Sequence, residues 1–428
     1  MDVQKEYQSK LMSAEDAALL IESGDRVWMS CLQAPDGVLN ALAARYKELE
    51  NVQLNSCCLL SDQPFLKDPD TIGHIDYLTM FVMPPFERYY APQGIFKIAS
   101  VSFARLRYWL KEVCKINKTM TVVSPMDEDG YMYFGQQNSS NMYFNCSIAD
   151  KVIVQVNSNT FRIKGREARI HVSQVDAIVE GDIPLLPYPM IPPSETDEKI
   201  ADFIVPRIRD DSTLQIGIGG LANAVGYRLE GKKNLGVHTE MFTESMVHLA
   251  QKHVIKQKII GGFALGGTEL YEYCSNNEMV ELWPLWDICD VNVIASYDNF
   301  VSINTCLMVD LTGQVASEGV GTRVVACTGG ATECVRGAVQ SKGGQSFICM
   351  ESTAKVKGEI VSNIVFALPP ATPVTVQRSD VQYIVTEYGI ADLYTQSIRD
   401  RALAMIHIAH PDFRDELIRQ AKEAKYIR

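Results

Sequence analysis

The sequence predicts an α/β fold made of two tandem, duplicated units, each with a mostly parallel sheet, and three observations carry that prediction. First, residues 15–54 (EDAALLIESGDRVWMSCLQAPDGVLNALAARYKELENVQL) and 197–237 (DEKIADFIVPRIRDDSTLQIGIGGLANAVGYRLEGKKNLGV) both read helix, strand, turn, helix, strand, with apolar positions in similar places. Second, later stretches repeat in the same order: ADKVIVQVN (149–157) resembles CDVNVIASYD (289–298), and HVSQVDAIVE (171–180) resembles RSDVQYIVTE (378–387). Ordered matches of this kind point to duplication of one unit. Third, GDIPLLPYPMIPPSETDEKI is crowded with prolines from Pro184 to Pro193, which neither a helix interior nor a central strand accepts. The chain therefore divides near residue 190, into domains 1–190 and 191–428. Thr196 or Asp197 is placed to cap a helix beginning near Glu198.

Bulk properties narrow the class. With 428 residues, 46% of them hydrophobic and 21% charged, the chain is long enough for two full cores. A net charge of −12 argues against nucleic acid or an anionic membrane as the main partner. The opening MDVQKEYQSK is polar and no apolar run reaches spanning length, so a cytoplasmic protein is expected. The eleven cysteines are scattered, without a CxxC, and only Cys57-Cys58 are adjacent. They read as small buried hydrophobes in a reducing compartment. No HExxH occurs among the seven histidines, and no metal site is expected.

The second half carries the chemistry. A buried strand, Leu214 to Gly217, runs into the turn Gly217-Ile218-Gly219-Gly220, and a helix opens at Leu221. Glycines at such a turn let the backbone approach a bulky anion, whose charge a helix N-terminus favours. The next strand ends in His238-Thr239-Glu240, which sets a carboxylate beside the ligand at the place where open α/β sheets put their active sites. A phosphate-bearing cosubstrate next to a lone carboxylate suggests acyl chemistry with Glu240 as nucleophile. The first half offers Ser30, Leu32 and Gln33 at the matching turn and Ser56-Cys57 at the matching strand end, so only the second half is equipped for it. Its long stretch of about 300 to 375 reads as an insertion and adds the glycine pairs Gly329-Gly330 and Gly343-Gly344. The aromatic and amide-rich GYMYFGQQNSSNMYF (130–144) suits an acyl pocket.

Each of these features has a plainer reading. A glycine turn alone often serves only tight packing. GIGGLA also fits GxGxxA, which leaves a nicotinamide dehydrogenase open, with Glu240 as the ribose ligand. His238 reads as a packed scaffold residue and Glu244 as a solvated or capping charge. No GxSxG is present, which weakens a serine hydrolase. A non-enzymatic α/β ligand sensor is a further alternative, although no DNA-binding arm accompanies it.

The second half resembles the class I CoA-transferases, in the acetyl-CoA hydrolase/transferase branch, and is most similar to 4-hydroxybutyrate and butyrate–acetate CoA-transferases. GIGGLANAV, LGVHTEMFTE, LYEYCSNNEMVEL, DNFVSINTCLMVDLTGQVASEGVG, GGATECVRGAVQSKGG, VQYIVTEYGIADL and IAHPDFRDEL carry the likeness in family order over most of 195–420. The first half matches more thinly, through SAEDAALLI, DGYMYFG and IHVSQVDAIVE. The resemblance implies two domains of one fold with the active site between them, usually in a homodimer. It places the family's nucleophile on Glu240, its CoA-binding loop on Gly217, Ile218, Gly219, Gly220 and Leu221, and its thioester-lining glycines on Gly329 and Gly330. Coenzyme A and acyl-CoA are then cosubstrates, and no cofactor is tightly bound. Cys327 stands where relatives commonly carry glycine, and TEMFTESM replaces TEMFSDG, so acyl specificity is left open. The implied reaction is ping-pong transfer of CoA between a short-chain acyl-CoA and a free carboxylate, through a glutamyl-CoA thioester. The alternative on the same scaffold is an acyl-CoA hydrolase. Glu240 is expected to be ionised at neutral pH, with an ordinary carboxyl pKa of about 4.3. Lys232, Lys233, Arg323, Arg336 and Lys342 are candidates for the CoA phosphates, each also readable as a surface charge.

Overall fold

The computed structural model describes residues 2–136 and 141–428, which form two compact units. The first comprises the chain up to Tyr188 with Ile260–Asp287 and Val325–Cys327; the second comprises Pro189–Ile259, Ile288–Val324 and Thr328–Arg428. Residues 137–140 of the amide-rich segment predicted for the acyl pocket lie outside the described residues.

In the first unit seven strands are all parallel: β1 (Arg26–Met29), β2 (Val52–Ser56), β3 (Ile75–Thr79), β4 (Lys97–Ile98), β5 (Lys118–Val123), β6 (Lys151–Val156) and β7 (Ala177–Glu180), in the order β4-β3-β2-β1-β5-β6-β7. A parallel sheet is covered on both faces, so its strands read as near-continuous apolar runs. Accordingly β5 is buried along its whole length. Val27, Met29, Leu54, Met120 and Ile153 of the strands pack with Ile21, Val38, Leu39 and Leu42 in one core. Glu87 is wholly buried at the end of this sheet, where its carboxylate accepts from the Tyr77 hydroxyl (2.6 Å) and the Met83 N–H (3.1 Å). Burial pushes its pKa to about 7.

The second unit repeats the plan with β8 (Thr213–Ile216), β9 (Leu235–Phe242), β10 (Ile255–Ala264, of which the part to Ile259 belongs here), β11 (Phe300–Thr305), β12 (Gln345–Cys349), β13 (Tyr383–Thr386) and β14 (Gly389–Asp392). Their order is β10-β9-β8-β11-β12-β13-β14. β8 pairs in parallel with both β9 and β11, as β11 does with β12 and β12 with β13, whereas the edge pair β13–β14 is antiparallel. The chain leaves β8 to one side and returns on the other, so β8 marks the topological switch point, where a crevice opens at the carboxyl ends of the strands.

Three local expectations need correction. Residues 289–298 do not match β6: Val291–Ala295 is a helix, capped by Asp290, whose carboxylate accepts from the N–H groups of Asn292 (2.7 Å) and Val293 (3.4 Å). The alternating valine and isoleucine imitate a strand, but the local cap decides. The strand that answers β6 in the topology is β12. The stretch from 300 to 375 is therefore not an insertion, because it contributes β11 and β12 to the main sheet. Finally, the helix after the linker starts early, at Glu195–Ile204, because Ser194 and not Thr196 or Asp197 is its cap. Ser194 Oγ accepts from the Asp197 N–H (3.0 Å) and the Asp197 carboxylate accepts from the Ser194 N–H (2.9 Å), a reciprocal capping box. Among the described residues no helix is long and apolar enough to cross a membrane.

Candidate functional site

The glycine turn sits where β8 ends. Residues Thr213–Ile216 are buried, whereas Gly217, Ile218, Gly219 and Gly220 are partly exposed and Leu221 is buried again. The following helix, Gly220–Tyr227, begins one residue earlier than expected, with Gly219 as its cap at φ 113°. That conformation suits glycine alone, and nothing lies within 4 Å of where a Gly219 Cβ would stand. Gly220 is glycine for a different reason: a methyl there would come 2.5 Å from Asp197 Oδ2 and 3.2 Å from Pro192 O. The turn thus serves close packing at Gly220 and presents an open backbone at Gly219, next to first-turn N–H groups that have no partner within their helix.

The first unit closes the equivalent turn. Ser30, Cys31, Leu32, Gln33 and Ala34 are all buried, the Ser30 hydroxyl donates to Gln33 O (2.7 Å), and Leu32 takes φ 64°. This turn is lined by buried side chains where the second unit has partly exposed glycines.

Glu240 stands beside the open turn. Thr213 pairs with Gly236 and Leu214 with Val237. Continuing that register brings Thr239 level with Ile216 and Glu240 level with Gly217. The Thr239 hydroxyl donates to Ile216 O (3.2 Å), consistent with that register. Contrary to the sequence reading, β9 does not end at Glu240 but runs on to Phe242.

Gly329 and Gly330 come to the same carboxylate. Gly329 adopts φ 58°, and Gly330 caps the helix Ala331–Gln340. The Gly330 backbone N–H lowers the pKa of the Glu240 carboxylate, and Gly330 stands at the N-terminus of a helix, the end that favours negative charge. A methyl on Gly330 would run into Cys289 Sγ and come 3.1 Å from Glu240 Oε2. The expectation of an ordinary carboxyl pKa fails here. Burial pushes Glu240 to about 7, the Gly330 N–H pulls it down, and the nearby charge of Glu333 pushes it up again. Packing of Cys289, Glu333 and Gly330 around the side chain produces this shift, and no feature of TEMFTESM announces it.

His238 is the scaffold residue expected. It is buried, its Nε2–H donates to Ile288 O (2.8 Å), and the Tyr297 hydroxyl lies 3.2 Å from Nδ1. Glu244 opens the helix Glu244–Gln251, where a carboxylate complements the helix dipole. Two of the five basic candidates are held in ion pairs, Arg336 with Asp380 (2.8 Å) and Lys342 with Asp298 (3.3 Å). Lys233 and Arg323 are exposed, and the Lys232 ammonium donates to Ile208 O. None of the five is brought to Glu240 by any of these contacts. His407 and His410 do stand three residues apart. However, the helix Ile398–Ile408 ends between them, and His410 caps the next helix through the Asp412 N–H (3.3 Å). Among the described residues no three His, Cys, Asp or Glu side chains gather in a way that would hold a metal.

A doubly wound parallel α/β architecture with a carboxylate at its switch-point crevice defines a class of ligand-binding folds. The chain belongs to the acetyl-CoA hydrolase/transferase family: the family's N-terminal domain model matches residues 1–188 and its C-terminal domain model residues 266–421. It is 35% identical to a butyryl-CoA:acetate CoA-transferase of Anaerostipes caccae, over 100% of this chain and 99% of that protein. It is 37% identical to a succinyl-CoA:cyclohexane-1-carboxylate CoA transferase of Geobacter metallireducens, over 99% and 98%. Among solved structures, RipA from Yersinia pestis superposes with a TM-score of 0.93 at 33% identity, covering 100% of both chains. Membership of this family replaces the nicotinamide dehydrogenase and ligand-sensor alternatives.

Proposed function

We propose that this protein is a CoA-transferase that moves CoA between a short-chain acyl-CoA and a free carboxylate, of the acetate, butyrate or 4-hydroxybutyrate class, with Glu240 as the nucleophile. One observation carries the reading: the Glu240 carboxylate packs against Gly330, at the start of a helix, level with the open turn that follows β8. The two full-length relatives named above, which are CoA-transferases for different acids, support the reaction type. The range of acids they use leaves the particular acyl group to experiment.

In this reading Gly217, Ile218, Gly219, Gly220 and Leu221 cradle the CoA, and Glu240 attacks the thioester carbonyl. The oxyanion of the tetrahedral intermediate needs N–H donors already in place. Because Gly330 packs against Glu240 in the resting site, it positions the nucleophile, and the turn after β8 is left to serve the oxyanion. Collapse gives an acyl-glutamyl anhydride and CoA thiolate. The thiolate returns to form glutamyl-CoA, releasing the first acid, and an incoming carboxylate reverses these steps. The N-terminal domain, 1–190, supplies acyl selectivity, and the domain from 191 to 428 supplies the CoA loop and nucleophile. A cytoplasmic homodimer without a tightly held cofactor completes the proposal, on the strength of the family resemblance.

Intact-protein mass spectrometry after brief incubation with butyryl-CoA or acetyl-CoA tests this directly. The expected result is a mass gain of CoA less water, present in the wild type, absent from Glu240→Ala and removed by acetate. Release of CoA at one rate with and without acetate, and with no adduct, would instead mark a hydrolase. A second expectation concerns pH. Only ionised Glu240 attacks, so kcat/KM for the acyl-CoA half-reaction should level off above about pH 7 and fall roughly tenfold per unit below it. A profile flat down to pH 5 would contradict the raised pKa.

A further inference from the structure

The proposed nucleophile is faced by a two-glycine turn. Gly329 takes φ 58°, and Gly330 stands where a methyl would come 3.1 Å from Glu240 Oε2. Two successive glycines leave a backbone unusually free, so whatever fixes this turn acts from its flanks. Both flanks are tied, directly or through Thr375, to one short hairpin. On one side the Thr328 hydroxyl donates to Glu318 Oε2 (3.2 Å). On the other the Thr332 hydroxyl, in the first turn of the helix Ala331–Gln340, donates to Thr375 O (2.7 Å). Thr375 Oγ1 in turn accepts from the N–H of Ser317 (3.0 Å), the residue before Glu318, and the Thr375 N–H donates to Val315 O (2.8 Å). The strands Gly319–Val320 and Arg323–Val324 that follow pair antiparallel, and the Gly321 N–H between them donates to Thr372 Oγ1 (2.8 Å). Thr328, Glu318, Ser317, Thr375 and Thr332 thus close a ring of contacts around the glycine pair, all within the second unit.

We propose that Glu318 is a positioning residue for CoA transfer: through the Thr328 hydroxyl it holds the Gly329-Gly330 turn against Glu240. The inference rests on the reading of Glu240 as nucleophile, since only then does the aim of that carboxylate set a rate. Thr332 and Thr375 fix the helix side of the turn, and Glu318 fixes the side that enters it. Without the Glu318 acceptor the Thr328 side loses this anchor, and Gly329 is free to leave its left-handed conformation for others that glycine allows equally. Gly330 moves with it, and so does the backbone against which Glu240 Oε2 packs. A displacement of about one ångström at a nucleophile costs on the order of 10²-fold in rate. The loss falls on alignment and not on the contacts that hold CoA, so it appears in kcat and leaves KM nearly unchanged. A glutamine carbonyl can copy the acceptor that Thr328 uses, whereas an alanine methyl cannot.

Steady-state kinetics with butyryl-CoA and acetate, and the rate at which the glutamyl-CoA adduct forms in a single turnover, test this on the full chain. Glu318→Ala and Thr328→Val should each lower kcat by ~10- to 100-fold and slow adduct formation by the same factor, with KM within about twofold of wild type. Glu318→Gln and Thr328→Ser, which keep the acceptor and the donor, should stay within about threefold of wild type. The double variant Glu318→Ala with Thr328→Val should be no slower than the slower single one, as befits two partners of one bond. Losses that multiply in the double variant overturn the proposal, as does Glu318→Gln as slow as Glu318→Ala, or a KM that rises while kcat holds. Should Glu318→Ala fail to fold, Thr328→Val, which keeps the shape of threonine, decides alone: wild-type kcat in that variant overturns the proposal. Failure of the transfer reading itself would be seen separately, as absence of the Glu240 adduct from the wild type.

Discussion

Glu240→Ala is expected to lower kcat for CoA transfer by ~10⁴-fold or more, because with Glu240 as the proposed covalent nucleophile its removal leaves only binding and oxyanion stabilisation. Glu240→Asp keeps the charge but withdraws it by one carbon, and a misplacement on that scale costs on the order of 10²-fold. Steady-state kinetics with butyryl-CoA and acetate check both, and an Ala variant within tenfold of wild type would remove Glu240 from the mechanism. Stability should move the other way. The folded state raises the Glu240 pKa from 4.5 to about 7, so the fold favours the protonated acid. The associated stability is complete below about pH 4.5 and is lost as pH rises through about 7. Glu240→Gln, neutral at every pH, should therefore unfold at a higher temperature than wild type at pH 8, by roughly 3 kcal/mol in stability, and match it near pH 4. Thermal scans at the two pH values decide the point. An enzyme that gains stability when its nucleophile is neutralised is holding a carboxylate in a place that water would serve better.

Gly330→Ala should lower kcat by ~10²-fold with little change in KM. The Gly330 backbone, at φ −108° and ψ 4°, accepts alanine without strain, so the cost is steric. The methyl runs into Cys289 Sγ and crowds Glu240 Oε2 to 3.1 Å. Overpacking of this kind typically costs ~1–3 kcal/mol in stability, which a cooperatively folded domain survives, while a nucleophile displaced by a fraction of an ångström loses its line of attack. Adding Cys289→Ala opens the space the methyl needs, so the double variant should recover a large part of the lost activity. Recovery identifies the thiol as the wall behind the nucleophile. If the double variant is no better than Gly330→Ala alone, the defect lies in the Gly330 N–H and not in the crowding.

The position of the proposed site was legible from local pattern. Three glycines between a strand and a helix, and a carboxylate at the end of the following strand, are features of adjacent residues. A parallel sheet converts them into neighbours in space by its register alone, as Gly217 and Glu240 illustrate. The duplicated architecture was legible for the same reason, since apolar periodicity survives in each strand. Where local chemistry outweighed periodicity the reading failed: Asp290 turned VNVIA into a helix, and Ser194 moved a helix start upstream.

The sequence by itself determined the two-unit parallel fold, the glycine turn after β8 and the identity of the carboxylate beside it. Only the tertiary structure decided that carboxylate's character. Gly330, Cys289 and Glu333 lie some 50 to 95 residues from Glu240 along the chain, and nothing in their local patterns links them to it. Folding brings them around its side chain, replaces water with sulfur and backbone, and so raises its pKa and fixes its aim. Charge states and orientations are set by what surrounds a group, and the surroundings exist only once the chain has closed on itself.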